Sequence, residues 1–352
     1  MLRSRRDFLT SAAAAATLAA VPATAREPAA QGITTTPQQI AALFDGLPGD
    51  LGWKISVPGQ DGAPDFVAAS GASRRLFAAS SIKTFILCEL LRQLDAPDVV
   101  EQLEAREVAL DSSIWSFGSP SFNPPSLSGV VSARTVLEAM ITRSDNTATD
   151  MALKLAGAAN VRRFIADAGL TDTRVPDSTR ALTGYLFGAP NYLTISWDEL
   201  LEVVQGPMVH PFLNDVQTLA SSADDMVSYY ARALQGEFFQ HAQTLQEFRR
   251  ILSLCDYIYL IPLPAGVEAH AKSGNADTSG FHARAIAGGL NVAGSWIHYA
   301  FILNWYAAEP ADPATLDHLY RAIHDSLALL VGDLARAGGV PSPPLVLPER
   351  RR

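Results

Sequence analysis

The chain has 352 residues, of which 48% are hydrophobic, with 27 basic residues against 36 acidic ones and a formal charge of −9. That acidic balance argues against nucleic acid as a partner, because a net negative chain repels phosphates. The length fits one large domain or two interlocked lobes, and the seven histidines show no paired zinc spacing, so no metal and no cofactor is expected.

The first 25 residues read as an export signal rather than as part of the fold. Arg5-Arg6 is followed by apolar residues, an Ala-rich stretch runs from Ser11 to Val21, and Ala23-Thr24-Ala25 is a cleavage site of the A-x-A kind. The competing reading, a membrane anchor, needs a longer apolar run. A soluble monomer, periplasmic or secreted after twin-arginine export and without a stable anchor, is the expectation. Without residues 1–25 the chain keeps 24 basic and 35 acidic residues. In an oxidising compartment Cys88 and Cys255 either pair or stay as two separately buried thiols.

Residues 26–44 form a polar leader with a short helix opened by Pro37. Leu51–Val57 alternates as a strand, and a second strand near Asp65–Ser70 completes a hairpin. A helix carries Ser80 and runs to about Leu94. Residues 96–135 read as irregular. Helices are expected over 135–143, 146–156 and 159–168, with Gly157 and Gly169 as stops. Residues 171–193 read as loop, and helices return at 196–205 and 222–234, the latter with Ser222 as its N-cap. Strands at 270–273, 283–290 and 295–306 follow, the last two joined by a turn at 291–294. A helix from Ala314 to about Ala335 closes the domain (45–337) before a tail (338–352) rich in Pro and Arg. Strands, a helical insert, strands and a helix predict an α+β fold, a three-layer αβα sandwich: an antiparallel sheet covered by the terminal helices, with an all-helical lobe inserted. The groove between sheet and lobe is the natural site.

Ser80-Ser81-Ile82-Lys83 sits where a turn becomes an apolar helix. A serine hydroxyl needs a neighbouring base to act as a nucleophile, and a lysine three residues on lies one turn away on the same face. The chain has four lysines, Lys54, Lys83, Lys154 and Lys272, while its other basic side chains are arginines, which stay protonated and cannot serve as a base. Two further segments follow in order: Ser144-Asp145-Asn146 in a helix–helix connection, and Lys272-Ser273-Gly274 at a strand end. Each is unremarkable alone, as a surface pair, a helix cap and a strand end. The ordered set of S-x-x-K, S-D-N and K-[ST]-G resembles the class A β-lactamase and penicillin-recognising serine hydrolase family over roughly residues 45–335.

That resemblance implies a catalytic set of Ser80, Lys83 and Ser144. Ser80 would attack an acyl carbonyl, Lys83 would activate it, and Ser144 would relay a proton to the leaving nitrogen. Asn146 would orient Lys83 and the substrate amide, and Lys272 and Ser273 would bind a substrate carboxylate. Arg284 is a further candidate for that carboxylate, weighed against a surface strand arginine. The backbone N–H groups of Ser80 and Asn275 would form the oxyanion hole. The substrate implied is a small β-lactam or a peptidoglycan-like D-Ala peptide or ester.

The chain departs from the family where class A enzymes carry a loop glutamate that activates water for release of the acyl-enzyme. No glutamate lies between Ser144 and Glu199. Asp177 is a candidate in its place, set against a turn aspartate that caps Thr179. Asn191 is a candidate for positioning the water. The stretch between Ser144 and Lys272 is also longer than the family's, with the excess in 171–193 or 205–265.

Overall fold

The computed structural model describes residues 32–59, 63–278, 280–308 and 313–339; the twin-arginine segment and the basic tail lie outside the described residues. The chain opens with α1 (Pro37–Ala42), where Thr36 and Gln39 form a reciprocal capping box. The hairpin of β1 (Asp50–Val57) and β2 (Phe66–Ser70) follows, and β3 (Leu76–Phe77) leads through a 3₁₀ turn at Ala79–Ile82 into α2 (Lys83–Gln93). The inserted lobe contains α3 (Val99–Ala105), β4 (Glu107–Leu110), β5 (Gly129–Ser132), α4 (Ala133–Thr142), α5 (Asn146–Ala156), α6 (Ala158–Asp167), α7 (Thr179–Leu186) and α8 (Trp197–Val203). Then come β6 (Ala220–Ser221), α9 (Ala223–Ala233) with Ser222 as its cap, α10 (Ala242–Leu252) and a 3₁₀ turn at Asp256–Leu260. The strands β7 (Val267–Thr278), β8 (Phe281–Val292) and β9 (Ser295–Tyr306) and the helix α11 (Pro313–Ala337) complete the domain.

Five strands form one antiparallel sheet in the order β2-β1-β9-β8-β7. The two-residue turn between β8 and β9 places Ala293 at φ 51° and Gly294 at φ 93°, the doubly left-handed arrangement that matches strand twist in a tight hairpin. The sheet is buried on both faces, and strand alternation separates two cores. Ala283, Ala285 and Ala287 of β8 face α2, α9 and the helical lobe, whereas Ile286, Leu290 and Val292 face α1 and α11. This is the three-layer arrangement expected. Cys88 lies in the first core and Cys255 in the second, both as buried free thiols. Among the described residues no helix is long and apolar enough to cross a membrane.

Three segments differ from expectation. Residues 96–135 are not irregular throughout: α3 is short and β4 pairs with β5 across an 18-residue excursion (111–128), a separation that hides the pairing from a local reading. The 171–193 stretch holds α7, whose start at Ser178 is capped but whose interior carries Gly184, packed against Tyr192 and Ile195. Helix α10 has the 3.6-residue pattern that identifies an amphipathic helix, with Thr244, Glu247, Phe248, Ile251 and Leu252 buried. The leader is docked from Thr34 onward: the backbone and hydroxyl groups of Thr34 and Thr35 donate to the Asp333 carboxylate of α11. Ile40 and Phe44 are buried in the second core.

Candidate active site

Ser80 lies in the 3₁₀ turn rather than inside α2. Three residues per turn put residues i and i+3 in line, so the turn sets Ser80 and Lys83 on one side. Ala79, just before the serine, has φ 47°, and Ser144 across the groove has φ 55°. Left-handed conformations are costly for residues with a Cβ and are retained where the surroundings hold them. Both flank the same groove.

The strand entering this turn is fixed to the sheet by Asn304 of β9. Its Oδ1 accepts from Phe77 N at 2.8 Å and its Nδ2 donates to Phe77 O at 2.9 Å. Asn304→Ala leaves both buried backbone groups unpaired. It is expected to cost about 3 kcal/mol of stability, read as a shift of the urea midpoint with m unchanged. An unchanged midpoint would show that this tie contributes nothing.

Lys83 is fully buried. Its Nζ donates to Ser144 O at 2.6 Å, to Asn146 Oδ1 at 2.7 Å and to Ser144 Oγ at 3.3 Å, with no hydrogen bond to Ser80 among them. Burial, then the like charge of Lys272, pushes the Lys83 amine well below the ordinary lysine value, against the opposing pull of Asp145, Asp150 and Asp256. Asn146 in turn donates through Nδ2 to Phe117 O at 2.7 Å. Asp145, the middle residue of its triplet, points away from the groove. It caps α5 through Ala148 N and accepts from Ser121 N and Phe122 N, tying the 111–128 excursion to the helix. Ser116, Ser119, Thr147 and Thr179 extend that tie as a buried hydroxyl chain, a feature the sequence reading missed. Buried Ser and Thr look like surface loop residues in a single sequence.

Across the groove β7 is the free edge of the sheet. Lys272 is also fully buried, its Nζ donates to Ser273 O at 2.9 Å, and burial lowers its pKa. Gly274 abuts the Ser80 turn: a Cβ there would lie 2.4 Å from Ala78 O, 2.7 Å from Ser81 N and 2.8 Å from Ser80 N. The three motifs therefore converge, and Asn275, exposed at the strand edge, follows directly. Arg284 pairs with Asn275 in register but is no surface arginine. It is buried, with Nη1 and Nη2 on the Asp277 carboxylate at 3.0 and 2.7 Å and Nε on the Tyr320 hydroxyl at 3.2 Å.

The side chains of the two loop candidates bond to partners other than this cluster. Asp177 accepts from Arg162 Nη2 at 2.7 Å and from Gln217 Nε2 at 2.6 Å. Burial would raise its pKa, but these bonds hold it below the usual carboxylate value. It does not cap Thr179; that helix start is capped by Ser178. Thr179 N and Oγ1 donate instead to Asp150 Oδ1 at 2.6 and 2.8 Å, and Arg180 N to Asp150 Oδ2 at 3.0 Å. Asp150 is a buried carboxylate one turn beyond Asn146, and burial raises its pKa to about 6. Asp150, Lys154, Asp177, Ser178 and Arg180 line an open polar cavity of about 320 Å³. Asn191 is exposed and contacts Glu199 at 3.3 Å.

An antiparallel sheet with a helical insert, and a serine–lysine turn facing S-D-N and K-S-G, define a protein of the class A β-lactamase fold. A profile of the beta-lactamase enzyme family matches residues 36–289, and the chain belongs to that family. The fold is also that of a class A β-lactamase representative from Bacteroides cellulosilyticus, at 18% identity, 83% coverage of this chain, 99% of the other, and TM-score 0.61. A β-lactamase from Sphaerobacter thermophilus matches at 18% identity over 86% and 97%, with TM-score 0.63. A PBP-A variant, described as an acyl-enzyme complex with penicillin G, matches at 19% over 83% and 94%, with TM-score 0.60. At such identities the likeness is one of fold. No curated protein sequence matches the chain significantly.

Proposed function

We propose that this chain is a serine hydrolase of β-lactamase type that forms an acyl-enzyme at Ser80 with β-lactam-like amides or related esters. The observation that carries this reading is the buried Lys83 amine, held by Ser144 and Asn146 one 3₁₀ turn from Ser80. Burial next to Lys272 favours its neutral form, the form able to take the Ser80 proton as the hydroxyl attacks the carbonyl carbon. The bond from Lys83 to the Ser144 hydroxyl provides a path for that proton to the leaving nitrogen. The N–H groups of Ser80 and Asn275 would hold the oxyanion, each worth about 3 kcal/mol in the transition state.

A second reading concerns release of the acyl group. Three carboxylates in or beside the 171–193 segment are already engaged, Asp172 by Arg75, Asp177 by Arg162 and Gln217, and Asp150 by the start of α7. This favours slow deacylation and behaviour closer to a penicillin-binding protein than to a rapid lactamase. Nitrocefin turnover together with intact-mass spectrometry tests both readings. A stoichiometric adduct, lost in Ser80→Ala, is the expected result, with a burst followed by slow turnover. Absence of any Ser80-dependent adduct would overturn the acyl-enzyme reading, and fast steady turnover would overturn slow release alone.

A further inference from the structure

On the reading that Ser80 is the acylated residue, the side chains nominated for a substrate carboxylate are Lys272, Ser273 and Arg284. The chain supplies carboxylates of its own to two of them. The Ser273 hydroxyl donates to Asp256 Oδ1 at 3.4 Å. Asp256 stands at the start of the 3₁₀ turn that precedes β7, close enough to act electrostatically on both Lys272 and Lys83. Arg284 is clamped by Asp277 through two parallel N–H to oxygen bonds, the geometry in which a guanidinium binds a carboxylate most strongly. His282 Nδ1 lies 2.7 Å from the same Asp277 Oδ1 and Tyr320 takes the Arg284 Nε–H, so the clamp is itself braced. Beside Arg284, Gly274, Tyr257 and Tyr320 the enclosed space is about 10 Å³, room for one water and not for a carboxylate. The remaining cation, Lys272, is fully buried and bonded to a backbone carbonyl.

We infer that Asp256 and Asp277 are specificity-determining residues that fill the carboxylate subsite from within, so that the Ser80 centre selects acyl donors bearing no free carboxylate beside the scissile bond. A substrate anion there must displace Asp256 from Ser273 and meets its charge. A neutral ester or amide meets neither cost and leaves the Asp277 clamp closed.

The test compares acylation rates with benzylpenicillin and with its methyl ester, followed by intact mass on the full mature chain. The methyl ester is expected to react about tenfold faster than the acid, a bias that one nearby like charge is sufficient to produce. Asp256→Asn removes that charge while keeping an acceptor for Ser273, and the acid-to-ester ratio should rise about tenfold toward parity. Because Asp256 is exposed, this variant is not expected to unfold the protein. Raising salt on the unmodified protein should move the same ratio in the same direction by screening. Asp277→Asn should raise it further by freeing Arg284. A faster reaction with the acid in the unmodified protein, or a ratio that neither salt nor Asp256→Asn moves, would overturn this inference while leaving Ser80 acylation intact. If no probe gives a Ser80-dependent adduct, the acyl-enzyme reading fails and this inference fails with it.

Discussion

Lys83→Arg is expected to slow Ser80 acylation by about a thousandfold while leaving the protein folded. The size follows from the role proposed for the amine. A guanidinium would place a permanent positive charge among Ser144 O, Asn146 Oδ1 and Ser144 Oγ, the three acceptors around Nζ, and it has no basic lone pair at neutral pH. The pH profile separates a base from a merely structural cation. Burial and the neighbouring Lys272 lower the Lys83 pKa, so the neutral amine is populated at lower pH than for an ordinary lysine. Single-turnover acylation should therefore rise with pH through one limb that lies below the normal lysine value and then level off. Lys272→Ala removes the like charge, favours protonated Lys83, and should move that limb to higher pH. Stopped-flow acylation of wild type, Lys83→Arg and Lys272→Ala, with thermal melts as the folding control, checks all three. A Lys83→Arg rate within tenfold of wild type, or a limb unmoved by Lys272→Ala, would remove Lys83 from the role of base.

The parts of this arrangement legible in the sequence share a physical trait: each is set by short-range pattern. Ser80 and Lys83 fall one turn apart, Ser222 caps α9, Gly157 ends α5, and the alternation of 51–57 marks β1, all from neighbouring residues. What was hidden depends on distant partners. Asp177 was weighed only as a candidate base or a cap of Thr179 because nothing near it in sequence announces Gln217, 40 positions away, as its partner. Arg284 looked equally suited to surface or substrate until the twelve-residue β7–β8 pairing brought Asp277 onto it. Asp256 drew no notice because its distance from Ser273 is fixed by the turn at 256–260, which carries no hydrophobic period to read. The candidate residues were thus recognisable by type and order, whereas which of them are already engaged was written only in tertiary contacts.

Gly274→Ala should be the most damaging single-methyl change at the site. Along β7 the residue faces the Ser80 turn, and the added Cβ would fall 2.4 Å from Ala78 O and within 2.8 Å of both Ser80 N and Ser81 N. These are backbone atoms, so no rotamer change relieves the overlap. The turn cannot yield cheaply either, because Ser81 N and Ser81 Oγ both donate to Ala78 O and Ala78 N donates to Leu219 O. The overlap must therefore be relieved by parting β7 from the turn. Overpacking of this kind is expected to cost about 2 kcal/mol or more in stability. The larger effect falls on chemistry: parting the two elements separates the Ser80 and Asn275 N–H groups, and displacement of about 1 Å in such a pair costs about a hundredfold in rate. Gly206 serves as the control, since a Cβ there meets only Val203 O at 3.4 Å, and Gly206→Ala should change neither quantity. Melting curves and Ser80 acylation rates on the two variants decide the matter. If Gly274→Ala melts and acylates like Gly206→Ala, β7 does not press on the Ser80 turn in solution, and the close seam between strand and turn is not what positions the nucleophile.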